Sequence, residues 1–538
     1  MSCFKYLTLI SCLILGYSIH AKTYSITDFG AKSDTTVLST IAIQKTIDVC
    51  SDNGGGTVVV PAGHYKTGTI QLQNNVNLFL ETGAILFGST NLDDYIDMKP
   101  GFVSLRTQEA TKQLIYAENK SNVSITGHGE IDGQGVSFKK MSWNDEGITR
   151  PHLIRFICCN NIRVEGISLR NSACWMQHYL ACNKVQIKSL RIFNRNNFNN
   201  DALDLDGCKD VTVSDIISDS DDDGITLKST SDRMCENIAI TNCVVSSRCN
   251  AIKMGTESNG GFRNITISNI VVQPSDYKET EFYGSIHGTS GITLEIVDGG
   301  TMENITIDNI NIEETESPIF IRLANRARPY KKGMTIDHIG TITDVMISNV
   351  HIKNAQNIGC SITGQPNHPV QNVTLNNIVY HHYGGGTSAN ASKKIEDLPE
   401  QYPEATMFGI LPAQGIYIRH AKNVQIKNLE VRTINGDYRP VIYADDISGC
   451  IFKSIKKEYQ VKTKSAFEFK NSTGIIEVNN CQIIGELEYF AGVNDNNAIK
   501  ILITNNQAGN LKNWINNGTS ENKSVISQNN FIINNFTE

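Results

Sequence analysis

One unit recurs along this chain: an Asn or Asp, then alternating apolar residues, then a small polar turn. It stands at Asn161-Ile162-Arg163-Val164, Lys184-Val185-Gln186-Ile187, Asp210-Val211-Thr212-Val213, Asn237-Ile238-Ala239-Ile240, Asn264-Ile265-Thr266-Ile267 and Asn304-Ile305-Thr306-Ile307. Later copies sit at Asp344-Val345, Asn372-Val373 and Asn423-Val424. The anchors at 162, 185, 211, 238 and 265 lie 23, 26, 27 and 27 residues apart, and the wider gap to 305 reads as one coil with an insertion. Alternation with a period of two means strand, because successive side chains leave opposite faces. Strands this short cannot bury their own apolar face. Stacked copies can: each strand pairs in parallel with its equivalent one coil on, and the inward side chains form one continuous core. The repeat therefore predicts an all-β parallel β-helix, a solenoid. Asn repeated at one coil position predicts a ladder of side-chain hydrogen bonds.

A solenoid grows in one direction without splitting its core, so 538 residues need not divide into several domains. Ile41, Ile43, Ile47 and Val49 predict a short N-terminal helix over about Val37 to Cys50, ended by Asn53-Gly54-Gly55-Gly56 and capping the first coil. Lys5, the apolar run from Tyr6 to Ile19, and Ala21 read as a secretory signal, too short to span a membrane. The chain then divides into a signal peptide over 1–21, a cap with the first coils over 22–100, and the β-helix proper over 101–538, with catalytic coils at about 195–325. The stretch from His382 to Gln414, rich in Gly, Ser and Asn, predicts a long loop on the helix wall, and from about Asp446 the repeat loses its sharpness. An exported product, periplasmic or extracellular, follows, with no transmembrane segment after cleavage. A net charge of −7 argues against nucleic acid as a partner. The 14 cysteines are scattered without Cys-x-x-Cys pairs and read mostly as small buried hydrophobes, not metal ligands. The repeat specifies no oligomeric state.

The repeat also serves as a ruler. Asp201-Ala202-Leu203-Asp204-Leu205 aligns with Asp223-Gly224-Ile225-Thr226-Leu227 at an offset of 22, and that segment with Asn250-Ala251-Ile252-Lys253-Met254 at 27. Parallel neighbours lie about 4.8 Å apart. Asp201 is thus predicted to stack on Asp223, with Asp222 beside them. Like charges this close resist joint ionisation, so one carboxyl keeps its proton to higher pH. An acid poised beside two bases suits hydrolysis of a glycosidic bond: one group protonates the leaving oxygen, the others deprotonate a water on the opposite face of the sugar. Carboxyls roughly 6.5–9.5 Å apart serve inversion, and about 5–5.5 Å apart retention. The plain alternative is solvated turn aspartates, which fits Asp215, Asp219 and Asp221 better than a stacked set, since stacked like charges cost stability without a partner. Asp219-x-Asp221-x-Asp223-Gly224 mimics the start of an EF-hand loop, but its twelfth position is Thr230 and no helices flank it. Other calcium geometries stay open.

Taken together these motifs resemble glycoside hydrolase family 28, the polygalacturonase and rhamnogalacturonan hydrolase family. The likeness runs from Asp28-Phe29-Gly30-Ala31 and the segment Gly54 to Gly63, through Arg150-Pro151 and Asn171-Ser172-Ala173-Cys174-Trp175, to Tyr402-Pro403-Glu404 and Leu411-Pro412-Ala413. Asn199-Asn200-Asp201 matches the family's Asn-x-Asp motif, and Asp222-Asp223 with Leu227-Lys228-Ser229 its paired-Asp motif. The resemblance implies a right-handed β-helix without cofactor or metal. It implies Asp222 as general acid and Asp201 and Asp223 as holders of the nucleophilic water, with inversion. Two positions depart. Cys249-Asn250-Ala251 replaces the Gly-His-Gly of polygalacturonases, and Thr293-Leu294-Glu295 replaces their Arg-Ile-Lys. That basic pair would grip a galacturonate carboxylate beside the cut. Its loss favours hydrolysis of an α-linked rhamnogalacturonan-type linkage in a pectic polysaccharide or oligosaccharide over plain polygalacturonan. Candidate substrate-binding residues are Asn199, Asn250, Lys253, Lys228, Arg322, Trp175 and His178; ordinary surface cations and a core aromatic are the alternatives for Lys253, Lys228, Arg322 and Trp175. Rival readings are an exo-polygalacturonase, a calcium-dependent pectate-lyase-like enzyme and a non-catalytic glycan-binding β-helix.

Overall fold

The computed structural model describes residues 22–106, 111–139, 150–276, 285–494, 499–517 and 524–532. The signal segment over 1–21 lies outside them. Among the described residues no helix is long and apolar enough to cross a membrane.

The repeat becomes coils. Ile162 pairs in parallel with Val185, Val185 with Val211, Val211 with Ile238, Ile238 with Ile265 and Ile265 with Ile305. The last pairing makes the wide gap a single coil with an insertion. The ladder continues through Val345 and Val373. These side chains point inward into one apolar core that runs from Ile26 to Ala508. The described strands form a 16-stranded wall and a 28-stranded sheet that makes up the rest of the coil. The result is a parallel β-helix.

Asn at the coil corner has two causes. The ladder is present: Asn161 donates to Asn122 at 2.7 Å, Asn264 to Asn237 at 3.1 Å, Asn304 to Asn264 at 2.8 Å and Asn423 to Asn372 at 3.1 Å. The same residues also adopt the left-handed conformation, with φ of 57° at Asn161 and Asn237 and 55° at Asn264 and Asn304. Among non-glycine residues Asn tolerates that region best. Not every strand is short. Cys235–Ser247, Gly261–Gln273 and Thr301–Glu313 each run 13 residues, and a left-handed Asn242, Asn269 or Asn309 bends each round a corner without breaking the pairing.

The cap is a helix, α1, at Thr40–Asp52. Its buried stripe is Ile43, Thr46, Ile47 and Cys50, while Ile41 is 85% exposed. With about 3.6 residues per turn, Ile41 falls on the opposite side from Ile43. Beyond Asp446 the coils continue in register: Phe452 pairs with Val478 and Val478 with Ile503, with left-handed Ser454, Asn480 and Asn505 at the corners. All twelve described cysteines are free thiols, ten of them buried.

The two sheets differ outside. Asn160–Glu165, in the larger sheet, alternates between buried and exposed, whereas His152–Ile157, in the 16-stranded wall, is buried at every position. This wall is covered on its outer face as well. Toward the N-terminus Met98 and Phe102 pack on Tyr116, Ile157 and Leu180. Toward the C-terminus Ile395, Ala405, Phe408 and Leu411 pack on Phe320, Tyr417 and Tyr443. The stacked aspartates lie between these covers.

Candidate active site

The strands Leu203–Asp206, Ile225–Ser229 and Asn250–Ser258 set Asp204 beside Thr226 and Thr226 beside Lys253, at the offsets read from the sequence. The turns that lead into them are also aligned. The N–H of Met176 donates to the carbonyl of Asp201 at 3.0 Å, that of Ala202 to Asp223 at 3.0 Å and that of Gly224 to Asn250 at 2.8 Å. Trp175, Asp201, Asp223 and Asn250 thus follow one another coil by coil. Small polar side chains fix these turns. Asn194 donates to the Asp201 carbonyl at 3.0 Å, Ser220 to the carbonyls of Asp222 and Asp223 at 3.0 and 3.1 Å, and Ser247 to that of Asp222 at 2.6 Å. Asn194, Ser220 and Ser247 are themselves register partners. Asn200, fully buried, ties the Asn-x-Asp turn to the carbonyls of Ser172 and Cys174 at 2.9 and 3.2 Å.

Asp201, Asp222 and Asp223 are 2%, 8% and 3% exposed. Burial penalises the charged form of each, and their neighbours then set them apart. At Asp223 burial is outweighed by Lys253, whose Nζ is 3.0 Å away, by Lys228, and by the Asn250 amide at 2.9 Å; its carboxyl is held below the usual range. At Asp222 burial is joined by the charges of Asp201 and Asp223, and the carboxyl is pushed well above that range. Its Oδ1 accepts the Asp223 N–H at 2.9 Å, and Asn199 Nδ2 reaches its Oδ2 at 3.5 Å. Arg150 in turn donates to Asn199 Oδ1 at 3.1 Å. Asp201 is raised by burial against the opposing pull of Lys228, 3.4 Å away, and its Oδ1 has no partner among the described residues. Asp204, next outward along its strand, is pushed well above the ordinary range by burial and by Asp201.

Several sequence-predicted contacts fall elsewhere. Asn250 has no exposed surface; its carbonyl oxygen accepts from Ser290 at 2.7 Å and Thr293 at 3.0 Å, and its amide holds Asp223. Its side chain is thus engaged by Asp223, Ser290 and Thr293. Arg322 is 1% exposed and donates to Thr363 and to the carbonyls of Asp397 and Leu398, so it anchors the loop. His178 is sealed against Asp206 at 3.1 Å, and burial pulls it down to about 4, a neutral core histidine. Trp175 is buried, with Lys228 Nζ 4.6 Å and the Arg106 guanidinium 5.0 Å from its ring centre. Lys228 spans Asp201, Asp204 and Glu257 at 3.4, 3.4 and 3.8 Å. Glu295, in the departing motif, is sealed, and burial pushes its carboxyl well up.

The repeat does not reveal Glu257. It is buried, yet Arg106, Lys228 and Arg328 overcome burial and hold it well below the usual range, with Arg328 Nη2 at 2.7 Å. Arg326 completes the group through Asp298 and the Thr256 carbonyl at 3.2 Å. These arginines stand outside the strands, where no periodicity marks them. Asp222, Asp223 and Cys249 bring one potential ligand atom each within 4.8 Å of one another. The set suits calcium poorly. That ion takes about six to eight oxygens, burial keeps the Cys249 thiol protonated, and Lys253 already neutralises Asp223.

The β-helix thus sets side by side one carboxyl pushed up and one held down, an arrangement suited to acid–base chemistry. The chain belongs to glycosyl hydrolases family 28, whose sequence model matches residues 50–401. The probable polygalacturonase of Vitis vinifera is 30% identical over 222 residues, 39% of this chain and 45% of that protein. The exo-poly-alpha-D-galacturonosidase of Dickeya chrysanthemi is 37% identical over 142 residues, 25% of this chain and 23% of that one. The chain thus matches less than half the length of these relatives. The hyperthermoactive exopolygalacturonase from Thermotoga maritima shares the fold with a TM-score of 0.59 at 19% identity, covering 76% of this chain and 92% of that one. The fold is the right-handed parallel β-helix with an N-terminal helix.

Proposed function

We propose that this protein hydrolyses α-linked, galacturonate-containing pectic saccharides with inversion. The observation that carries the reading is the split between sequence neighbours: burial with the charges of Asp201 and Asp223 pushes the Asp222 carboxyl up, while Lys253, Lys228 and the Asn250 amide hold Asp223 low. Asp222 gives its proton to the glycosidic oxygen. Asp201 and Asp223 bind a water and take its proton as it attacks the anomeric carbon from the opposite face, and the bond to the leaving sugar breaks. Asn250 and Lys253 keep Asp223 ionised and aimed; Asn199, backed by Arg150, aims Asp222. Proton NMR of the fresh product tests this: the inverted anomer is expected, and the retained anomer overturns it.

Thr293 and Glu295, which replace the basic pair, are both sealed in protein. That supports a rhamnogalacturonan-type linkage over plain polygalacturonan. A second reading, an exo-polygalacturonase, draws on Arg106, Arg326 and Arg328 around Glu257, cations that reach the aspartates through Lys228. The covers on both flanks of the wall also suit a chain end better than a polymer lying through. Defined oligosaccharides separate the two. If Arg328→Ala spares rhamnogalacturonan oligomers and abolishes cutting of oligogalacturonate, the second reading stands. A calcium-dependent lyase would instead release an unsaturated, ultraviolet-absorbing product and stop with chelator. A non-catalytic binder would release no reducing ends. Export is checked by the mass of the secreted protein, expected to begin after Ala21.

A further inference from the structure

Past the loop that packs on Phe320 and Tyr417, the same wall opens into a concavity of about 250 Å³, lined by Tyr438, Tyr443, Lys462, Lys464, Lys470 and Glu468. Tyr443 and Glu468 stand in the outward column that carries Asp204, Thr226 and Lys253 further back. Six strand steps separate Thr226 from Tyr443, roughly 29 Å at about 4.8 Å per step. Ser388 and Ala391, from the one-turn helix Ser388–Ala391, contribute to its lining. The concavity is therefore separate from the aspartate stack.

Its chemistry is specific. Three lysines face one carboxylate, on a chain of net charge −7. Lys462 and Lys464 are exposed, and Lys470 Nζ lies 4.8 Å from the ring centre of Tyr443. Tyr438 is 44% exposed, which leaves a ring open for stacking. Glu468 is buried and fixed: it accepts from the Ser465 hydroxyl and from the Asn494 amide at 3.3 Å. Gly492 makes room for it, since a Cβ there would sit 2.5 Å from both carboxylate oxygens. A fixed acceptor for hydroxyls, an aromatic surface and surplus cations match a hydroxylated ring that carries a carboxylate.

We infer that this concavity is a non-catalytic binding site for a uronate unit of an acidic saccharide. It holds one part of a chain while another part meets the aspartates. The choice of uronate rests on the function proposed above; the existence of the site rests on the lining. A tether of this kind raises the local concentration of long chains and leaves short ones unaffected.

The test uses the full chain. Trigalacturonate is titrated calorimetrically into Asp222→Asn, and into Asp222→Asn carrying Tyr438→Ala and Lys464→Ala, with a neutral trisaccharide as control. The expected result is a second binding event, weakened by salt, that falls at least about tenfold in affinity in the combined variant. Without Asp222→Asn, the pair Tyr438→Ala/Lys464→Ala should cut the short pectic oligosaccharide that wild type cuts at the normal rate, while its KM for the corresponding polymer rises severalfold. Lys464→Glu alone, at an exposed position, should weaken the same event and guards against loss of fold. The inference is overturned if no second event exists, if it survives these substitutions, or if the neutral trisaccharide binds equally. Should Asp222→Asn still hydrolyse pectic chains, the proposed catalytic role falls, and the calorimetry still decides this site.

Discussion

Two stacks run along this β-helix at the same coil spacing, and they are held together in opposite ways. Along one corner Asn237, Asn264 and Asn304 stack amide on amide at 3.1 and 2.8 Å, exposed to solvent. An amide both donates and accepts, so each rung satisfies the next. Along the covered wall Asp201, Asp223 and Asn250 stack at the edge of the strands. An ionised carboxylate only accepts, so each rung needs help from another element: Lys228 for Asp201, Lys253 and Asn250 for Asp223, and a proton for Asp222. Buried like charge persists only with such compensation. A neutral ladder supports itself. In a charged one the surroundings push neighbouring carboxyls to opposite sides of their ordinary range, and that is a condition acid–base chemistry needs.

The comparison breaks most visibly at Asp222. Asp222→Asn should lower the hydrolysis rate by about 10²–10⁴. It should not lower stability. Because the folded carboxyl titrates above its unfolded value, its stability contribution is fully present below the unfolded pKa, and the native state loses stability as pH rises from there toward the folded value. Asn removes that loss, so melting should rise relative to wild type at neutral pH and change little near about pH 4. A second cut removes the cation. Lys253→Ala leaves Asp223 buried and unpaired, which should cost about 3–5 kcal/mol in urea unfolding. Adding Asp223→Asn should recover much of that loss, and no recovery would place the role of Lys253 outside the pair.

The pH–rate profile follows from the same split. Asp223, depressed when folded, stays ionised below the ordinary carboxylate range, and Asp222 stays protonated above it. The alkaline limb should therefore lie above that range, where Asp222 loses its proton, while the acid limb should follow Asp201, the base whose carboxyl is raised, and in the residual activity of Lys253→Ala it should move to still higher pH. The smallest effect belongs to the amide ladder. Asn264→Ala removes ladder bonds and leaves at a φ of 55° a residue without the short polar side chain that lets Asn tolerate that conformation, a loss of about 1–2 kcal/mol by thermal or urea melts. Asn264→Gly should lose less, because glycine accepts that conformation. Equal losses would assign the cost to the ladder alone.

The coil register was legible because an inward position cannot slip by one residue without turning its apolar side chain outward. The offsets that aligned Asp201, Asp223 and Asn250 are the observed pairings. The register tells which way a side chain leaves the strand, but not what lies on top of it. Asn250, His178 and Arg322 all leave the wall on its outer side and are sealed there by neighbours that the repeat does not describe. Glu257 is ringed by Arg106 and Arg328, which come from far-apart aperiodic segments, so no local pattern links them. The left-handed corner was hidden behind the ladder, since both select the same residue type.

Asp222 and Asp223, adjacent in sequence, are expected to lose their protons on opposite sides of the ordinary carboxylate range. Infrared spectroscopy on protein with isotope-labelled aspartate carboxyls, assigned through Asp222→Asn and Asp223→Asn, reads this directly as pH is varied. Asp222 should keep its protonated carbonyl band after ordinary aspartates have lost theirs, while Asp223 should show none until the pH falls below their range. Both groups titrating together within the ordinary range would contradict the account.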